Sequence, residues 1–207
     1  AANSGDTVYV AAGTYYENLE FSKSLVLIGA GIQQTILDGS NSTAIYANGG
    51  NFHLEGFSVL NSDGSNGLIY LRSLNGKVIN SEVSSSDGYG IYGVYSSLEI
   101  RNNIVRDCYK GIGFTSGGNS QILNNTILNN QIYGIETECN SVLIQNNVIS
   151  NNGFHLSYAF GGGIRKRSSC GSVSLSYNNF WNNNFGNYIN FDGSNSSIFT
   201  PSPGNGE

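Results

Sequence analysis

One phrase recurs along this chain at a spacing that few architectures can accommodate. It reads Leu98-Glu99-Ile100-Arg101-Asn102-Asn103-Ile104-Val105, then Gln121-Ile122-Leu123-Asn124-Asn125-Thr126-Ile127, then Leu143-Ile144-Gln145-Asn146-Asn147-Val148-Ile149. Asn103, Asn125 and Asn147 step by 22 residues each time. A fourth copy, Ser176-Tyr177-Asn178-Asn179-Phe180-Trp181, follows after 32, which implies an insertion of about ten residues before it. Weaker copies precede: Leu54-Glu55-Gly56-Phe57-Ser58-Val59 and Val78-Ile79-Asn80-Ser81-Glu82-Val83.

A Gly-Ile pair keeps the same rhythm at Gly90-Ile91, Gly111-Ile112, Gly134-Ile135 and Gly163-Ile164, with Ile45 and Ile69 upstream and Ile189 downstream. Each repeat therefore carries three short strands. Runs of three to five residues are too short to persist alone, so the repeat is stable only if each strand pairs with its counterpart in the next coil. The expectation is an all-β fold, a right-handed parallel β-helix of about 7–8 rungs of ~22 residues. A leucine-rich repeat has a similar period, but neither its Leu-x-x-Leu-x-Leu frame nor a helical return is present.

Alternation along the strands sets the faces: Ile100, Ile122, Ile144 and Leu175 are expected inside, as are Val105, Ile127, Ile149 and Trp181. Asn tolerates the left-handed backbone of a tight corner, and its amide can bond along a column of like residues, so the Asn-Asn pairs read as structural. With 28 Gly and 30 Asn the chain resembles a disordered one in composition, but 39% apolar residues placed in register argue for order. A net charge of −5 with nine Lys plus Arg excludes a nucleic-acid footprint, and no window reaches the roughly 18 apolar residues of a membrane span.

The opening Gly5-Asp6-Thr7-Val8-Tyr9-Val10-Ala11-Ala12-Gly13-Thr14-Tyr15-Tyr16-Glu17-Asn18, followed by Leu25-Val26-Leu27-Ile28-Gly29-Ala30-Gly31 and Thr35-Ile36-Leu37-Asp38-Gly39, resembles the first rungs of the pectate-lyase-like superfamily. The likeness runs from Gly5 to about Asp192. It implies one domain over 1–207: a first rung and the end of an N-terminal cap at 1–24, an insertion loop at 152–162, and a C-terminal tail at 193–207. It also implies a secreted module, extracellular or at the cell surface, acting on or binding a uronate-containing polysaccharide. Because the superfamily's capping helix would precede residue 1, an additional chain covering the first rung, or end-to-end self-association, is a further expectation.

In such proteins the substrate lies on the outer face of the Gly-Ile strand. Alternate residues there give an outward column of Tyr46, Tyr70, Tyr92, Gly113, Glu136, Arg165 and Asn190, beside a second of Asn48, Arg72, Val94, Thr115, Glu138, Arg167 and Asp192. Charge is scarce in this chain yet gathers on two adjacent rungs, next to the insertion that carries His155 and Tyr158. Tyr46, Tyr70, Tyr92, Arg72, His155 and Tyr158 are the expected substrate contacts. For a lyase the resemblance implies Arg165 or Arg167 as base, Glu136 in the catalytic set, and Ca²⁺ held by Glu136, Glu138 and Asp192. The Lys that the chondroitinase and alginate lyase branch carries shortly after its second Glu is absent.

A hydrolase would use the two carboxylates as acid and base. Residues two apart on a strand lie about 6.5–7 Å apart, near the low end of the roughly 6.5–9.5 Å of inverting enzymes, but the Asp-Asp and Gly-His-Gly signatures of polygalacturonases are missing. Two other readings stand beside catalysis: cross-rung salt bridges with no chemistry, and a structural adhesin or filament subunit. Of the three cysteines, Cys139 and Cys170 each precede an inward residue by five, so a disulfide and two buried thiols are both open, with Cys108 left over.

Overall fold

The computed structural model describes residues 2–62, 66–155 and 161–191, together with the strand Ser196–Phe199. The chain winds into a right-handed parallel β-helix of eight coils with three faces. The first face stacks Thr7–Val10, Leu25–Gly29, Asn51–Glu55, Asn75–Ile79, Ser97–Arg101, Asn119–Leu123, Ser141–Gln145 and Val173–Ser176. The second stacks Gly13–Tyr16, Thr35–Asp38 and Ser58–Ser62, and ends in Thr126–Leu128, Val148–Ser150 and Asn179–Trp181. The third stacks Leu19–Phe21, Ile45–Asn48 and Ile69–Arg72, and ends in Tyr133–Glu138, Gly162–Lys166 and Tyr188–Phe191. In the middle, Glu82–Val94 and Ile104–Thr115 run unbroken through the corner, merging the second and third faces into one 15-stranded sheet. Among the described residues there is no helix.

The core follows from alternation. Ile45, Ile69, Ile91, Ile112, Ile135 and Ile164 stack in one fully buried column, and Ile100, Ile122 and Ile144 in another, continued by half-buried Leu175. Each such side chain contributes roughly 1.5–3 kcal/mol on burial, while ordering the backbone costs about 1–2 kcal/mol per residue. A three-residue strand therefore holds only when neighbours on both sides supply apolar contact and hydrogen bonds.

The Asn-Asn pairs do two different jobs. The first member takes the left-handed turn, with φ of 57° at Asn102, 56° at Asn124 and 57° at Asn146. The second is buried, and its amide bonds upward and downward: Asn103 Nδ2 donates to Asn125 Oδ1 at 3.1 Å, Asn125 to Asn147 at 3.0 Å, and Asn147 to Asn178 at 2.9 Å. Each Oδ1 also accepts the backbone N–H of the preceding rung's ladder residue. A second ladder, Asn130–Asn152–Asn183, occupies the next corner. Its signature in the sequence is the pairs Asn129-Asn130, Asn151-Asn152 and Asn182-Asn183.

Three expectations need correction, all downstream of the insertion. The ladder continues at Asn178, 31 residues after Asn147, because Tyr177 takes the left-handed position with φ of 54° and displaces the motif by one. Phe180, opposite Ile149, is consequently the inward residue, and Trp181 points out, 62% exposed. On the third face Ile164 pairs with Tyr188, so Ile189 and not Asn190 follows Arg165, and Ile189 packs outward with Ile132 and Tyr133. The Gly that precedes Ile in the earlier coils has no counterpart there.

Candidate active site on the third face

The third face delivers the expected outward column in register from Tyr46 through Tyr70, Tyr92, Gly113 and Glu136 to Arg165, and extends it one rung back to Glu20. The tyrosines stack on one another, with centroids 5.2 Å apart for Tyr46 and Tyr70 and 5.6 Å for Tyr70 and Tyr92. Their ring faces are thus spent on each other, and their edges and hydroxyls are what a ligand meets. Tyr92 shares a hydrogen bond of 3.0 Å with Thr115, and the charge of Arg72 lies near the Tyr70 phenol beside a groove of about 490 Å³ lined also by Glu20, Thr43, Tyr46 and Asn66.

Gly113 interrupts the column, and a fourth tyrosine fills the gap. The ladder between Glu82–Val94 and Ile104–Thr115 slips between Ser86 and Tyr89, a bulge that re-aims Tyr89 over the next rung. Its ring lies 4.4 Å from that of Tyr92 and nearly parallel to it, in space that any Cβ on Gly113 would invade, 2.2 Å from the ring. Tyr89 then donates its hydroxyl hydrogen bond to Glu136. A purely periodic reading could not place Tyr89, since the bulge breaks the count.

Glu136 is the centre of the arrangement, with its side chain 2% exposed. Lys110 donates to Oε2 at 2.7 Å and lies over the Tyr89 ring, and Arg165 donates to Oε1 at 3.3 Å and to the Tyr133 hydroxyl at 3.0 Å. Burial by itself would raise the Glu136 carboxyl; the charge and hydrogen bond of Lys110, with Tyr89 and Arg165, outweigh it and hold the group below its ordinary range. Burial, reinforced by the neighbouring carboxylate, pushes the Tyr89 phenol far above its ordinary value, so it is a donor and not a phenolate. Two residues further along the same rungs, Arg167 meets Glu138 at 3.2 Å, both partly in solvent. Three cations thus face two carboxylates, a net charge of +1 on an otherwise acidic chain.

Of the expected site residues, the fold brings together Tyr46, Tyr70, Tyr92, Arg72, Glu136, Glu138, Arg165 and Arg167. His155 stands at the edge of this group, its ring 6.3 Å from Tyr109 and perpendicular to it. Tyr158 and Asp192 lie outside the described residues. Lys110, Tyr89 and Tyr133 were not foreseen; Lys110 stands one residue before the Gly-Ile pair, where the column count never looks.

Calcium, implied by the resemblance, does not fit this geometry: both Glu136 oxygens point at cations, and the described residues hold no group of three His, Cys, Asp or Glu side chains able to ligate a metal. On the first face a second trough of about 400 Å³ runs past His53, Lys77, Glu99 and Gln121, but Lys77 and Glu99 pair with each other at 2.7 Å, and the His53 ring lies 3.2 Å from the Glu55 carboxylate.

The coil geometry, the stacked Ile columns and the Asn ladders agree with a match of residues 42–200 to the right-handed beta helix region family. The chain belongs to the right-handed β-helix family. No curated protein matches it. Among solved structures, pectate lyase Pel9A superposes with a TM-score of 0.66 at 16% identity, covering 88% of this chain and 56% of that one. Geobacillus virus E2 ORF18 matches at a TM-score of 0.34 and 11% identity, over 90% of this chain and 53% of that one. The chain therefore spans about half the length of the solved proteins it matches, and at these identities the likeness is one of fold. The β-helix family shares its scaffold among many chemistries, so function has to be argued from the third face.

Proposed function

We propose that this β-helix binds an acidic, uronate-containing polysaccharide along its third face, outside the cell. The observation that carries the reading is the surplus of positive charge around one buried carboxylate. Glu136 holds Lys110 and Arg165 in fixed positions without neutralising both, and Arg167 adds a third cation at the rim. A carboxylate-bearing sugar supplies the missing negative charge, and the tyrosine edges, Thr115 and the Tyr46–Tyr70–Arg72 groove supply hydrogen bonds to the neighbouring units. The likeness to pectate lyase Pel9A is consistent with such a ligand, and the disulfide described below suits an oxidising, extracellular setting.

Cleavage, where it occurs on this face, is β-elimination. Cations at a uronate carboxylate acidify the adjacent C–H, which is the demanding step. Arg165 can supply that neutralisation, Glu136, fully engaged, positions Lys110 and Arg165, and Arg167, ion-paired with Glu138, is a further cationic contact at the rim. The test is calorimetric titration with oligogalacturonate, oligoalginate and a neutral oligosaccharide, with the ultraviolet absorbance of unsaturated product followed in parallel. Tight, salt-sensitive binding of an acidic oligomer that Lys110→Gln with Arg165→Gln removes supports the reading. Equal affinity for the neutral oligomer, or none for any acidic one, refutes it.

A further inference from the structure

The corner that closes the third face is built differently at the cationic rungs than in the coils just before them. In the preceding coils this corner is held by backbone bonds from one rung to the next: Ser73 N–H to Val94 C=O at 2.9 Å, Tyr95 to Thr115 at 3.1 Å and Ser116 to Glu138 at 3.1 Å. The next member of that series would be Cys139 to a backbone carbonyl of the following coil. Its N–H instead meets the side-chain oxygen of Ser168 at 3.3 Å. Strand pairing between Tyr133–Glu138 and Gly162–Lys166 ends at Thr137 and Lys166, and the last backbone bond between these strands is Arg167 N–H to Thr137 C=O at 2.8 Å. The corner is further weakened by Asn140, fully buried with neither amide atom bonded. Beyond Arg167, and before Val142 N–H meets Ser172 C=O at 2.8 Å, the two coils are joined by the Cys139–Cys170 disulfide, with Cα atoms 4.6 Å apart and Ser168 lying between the two cysteines and in contact with both.

We propose that this disulfide is the element that positions Arg167, and with it the Glu138–Arg167 pair, for the polysaccharide carboxylate, so that ligand affinity depends on its redox state. This rests on the acidic-polysaccharide reading of the third face. Glu138 immediately precedes Cys139, so the covalent link acts next to Glu138, and it reaches Arg167 through the neighbouring Ser168, which contacts both cysteines. Arg165 is independent of the link: it is held inside the paired strand and by Glu136 and Tyr133. Cys170 is exposed, so a dithiol can reach it. Reduction breaks the S–S bond, leaves two thiols, and oxidises the dithiol to its own disulfide, a balanced two-electron, two-proton exchange. The one remaining cysteine, Cys108, cannot substitute in a mixed pairing: it is fully buried and burial pushes its thiol up to about 12.

The experiment compares binding of an acidic oligosaccharide by oxidised wild type, dithiothreitol-treated wild type and Cys139→Ser with Cys170→Ser, each with and without Arg167→Gln. In the oxidised protein Arg167→Gln is expected to weaken binding about three- to tenfold, the worth of one partly exposed charge-assisted contact. Opening the disulfide is expected to weaken it by the same factor, and Arg167→Gln to add nothing once it is open, while Lys110→Gln keeps its full effect in both states. Arg167→Gln costing as much in the open form as in the oxidised one overturns the inference. So does an open form that loses its parallel-sheet circular dichroism, since the clamp is argued to act locally. Failure of oxidised wild type to bind any acidic oligosaccharide removes the parent reading, and the inference with it.

Discussion

At the level of single residues the site depends on a missing side chain and a buried charge. Gly113→Ala puts a methyl group into the ring of Tyr89, so Tyr89 must leave and Glu136 loses its hydroxyl donor. The expected result is loss of acidic-ligand binding with a stability cost of about 1–3 kcal/mol, read from titration and urea denaturation. Glu136→Gln leaves Lys110 and Arg165 facing each other without their anion, a cost of about 2–4 kcal/mol in the same assay. Protonation does the same reversibly. Glu136 is held below its ordinary range in the folded chain, and Glu99 is too, through its hydrogen bond from Lys77, opposed by burial and aided by Arg101. The stability they supply is complete above the ordinary carboxylate range and is lost as pH falls through their folded values. Melting temperature should therefore drop on acidification from neutral pH, and Glu136→Gln should flatten that dependence.

At the level of the coil, the ladders and the register carry the argument. Asn125 bonds to the backbone of Asn103 and Ile100 and to the amide of Asn147, so Asn125→Ala orphans two buried backbone groups of the preceding rung and breaks the ladder to the next. A loss of about 2–4 kcal/mol is expected, measured by denaturation. The last regular coil offers a sharper test of the shift by one residue. Phe180→Ala should cost about 3 kcal/mol and Trp181→Ala less than about 0.5 kcal/mol; the reverse order would restore the register that alternation alone predicts. That shift marks where the sequence ceased to be legible. Asn178-Asn179 looks like the motif pair, and only the backbone of Tyr177, in a conformation a tyrosine seldom adopts, reveals that it is not.

At the level of the whole molecule the solenoid is quasi-one-dimensional: a coil touches its neighbours and little else. Removing residues 104–125, one full period, joins Asn103 to Thr126 with the ladder in phase. The shortened chain should keep its parallel-sheet circular dichroism and melt a few degrees lower, yet lose acidic-ligand binding, because Lys110 and Gly113 go with that coil. Collapse of the fold would show that the coils are less independent than their contacts suggest.

The amino-acid sequence by itself determined the architecture, because a period of 22 with alternating apolar residues and corner asparagines leaves a stacked solenoid as the one way to bury those columns. It also placed Tyr46, Tyr70, Tyr92, Glu136 and Arg165 on one line, since register carries position from coil to coil wherever the period is kept. The tertiary structure decided what that line can do. The bulge after Ser86 brings Tyr89 onto Gly113, the bent strand swings Lys110 beneath Glu136, and the disulfide takes over where the backbone ladder ends. Each of these departs from the period, and a departure from a repeat is settled by packing between coils, which no count along the chain can supply.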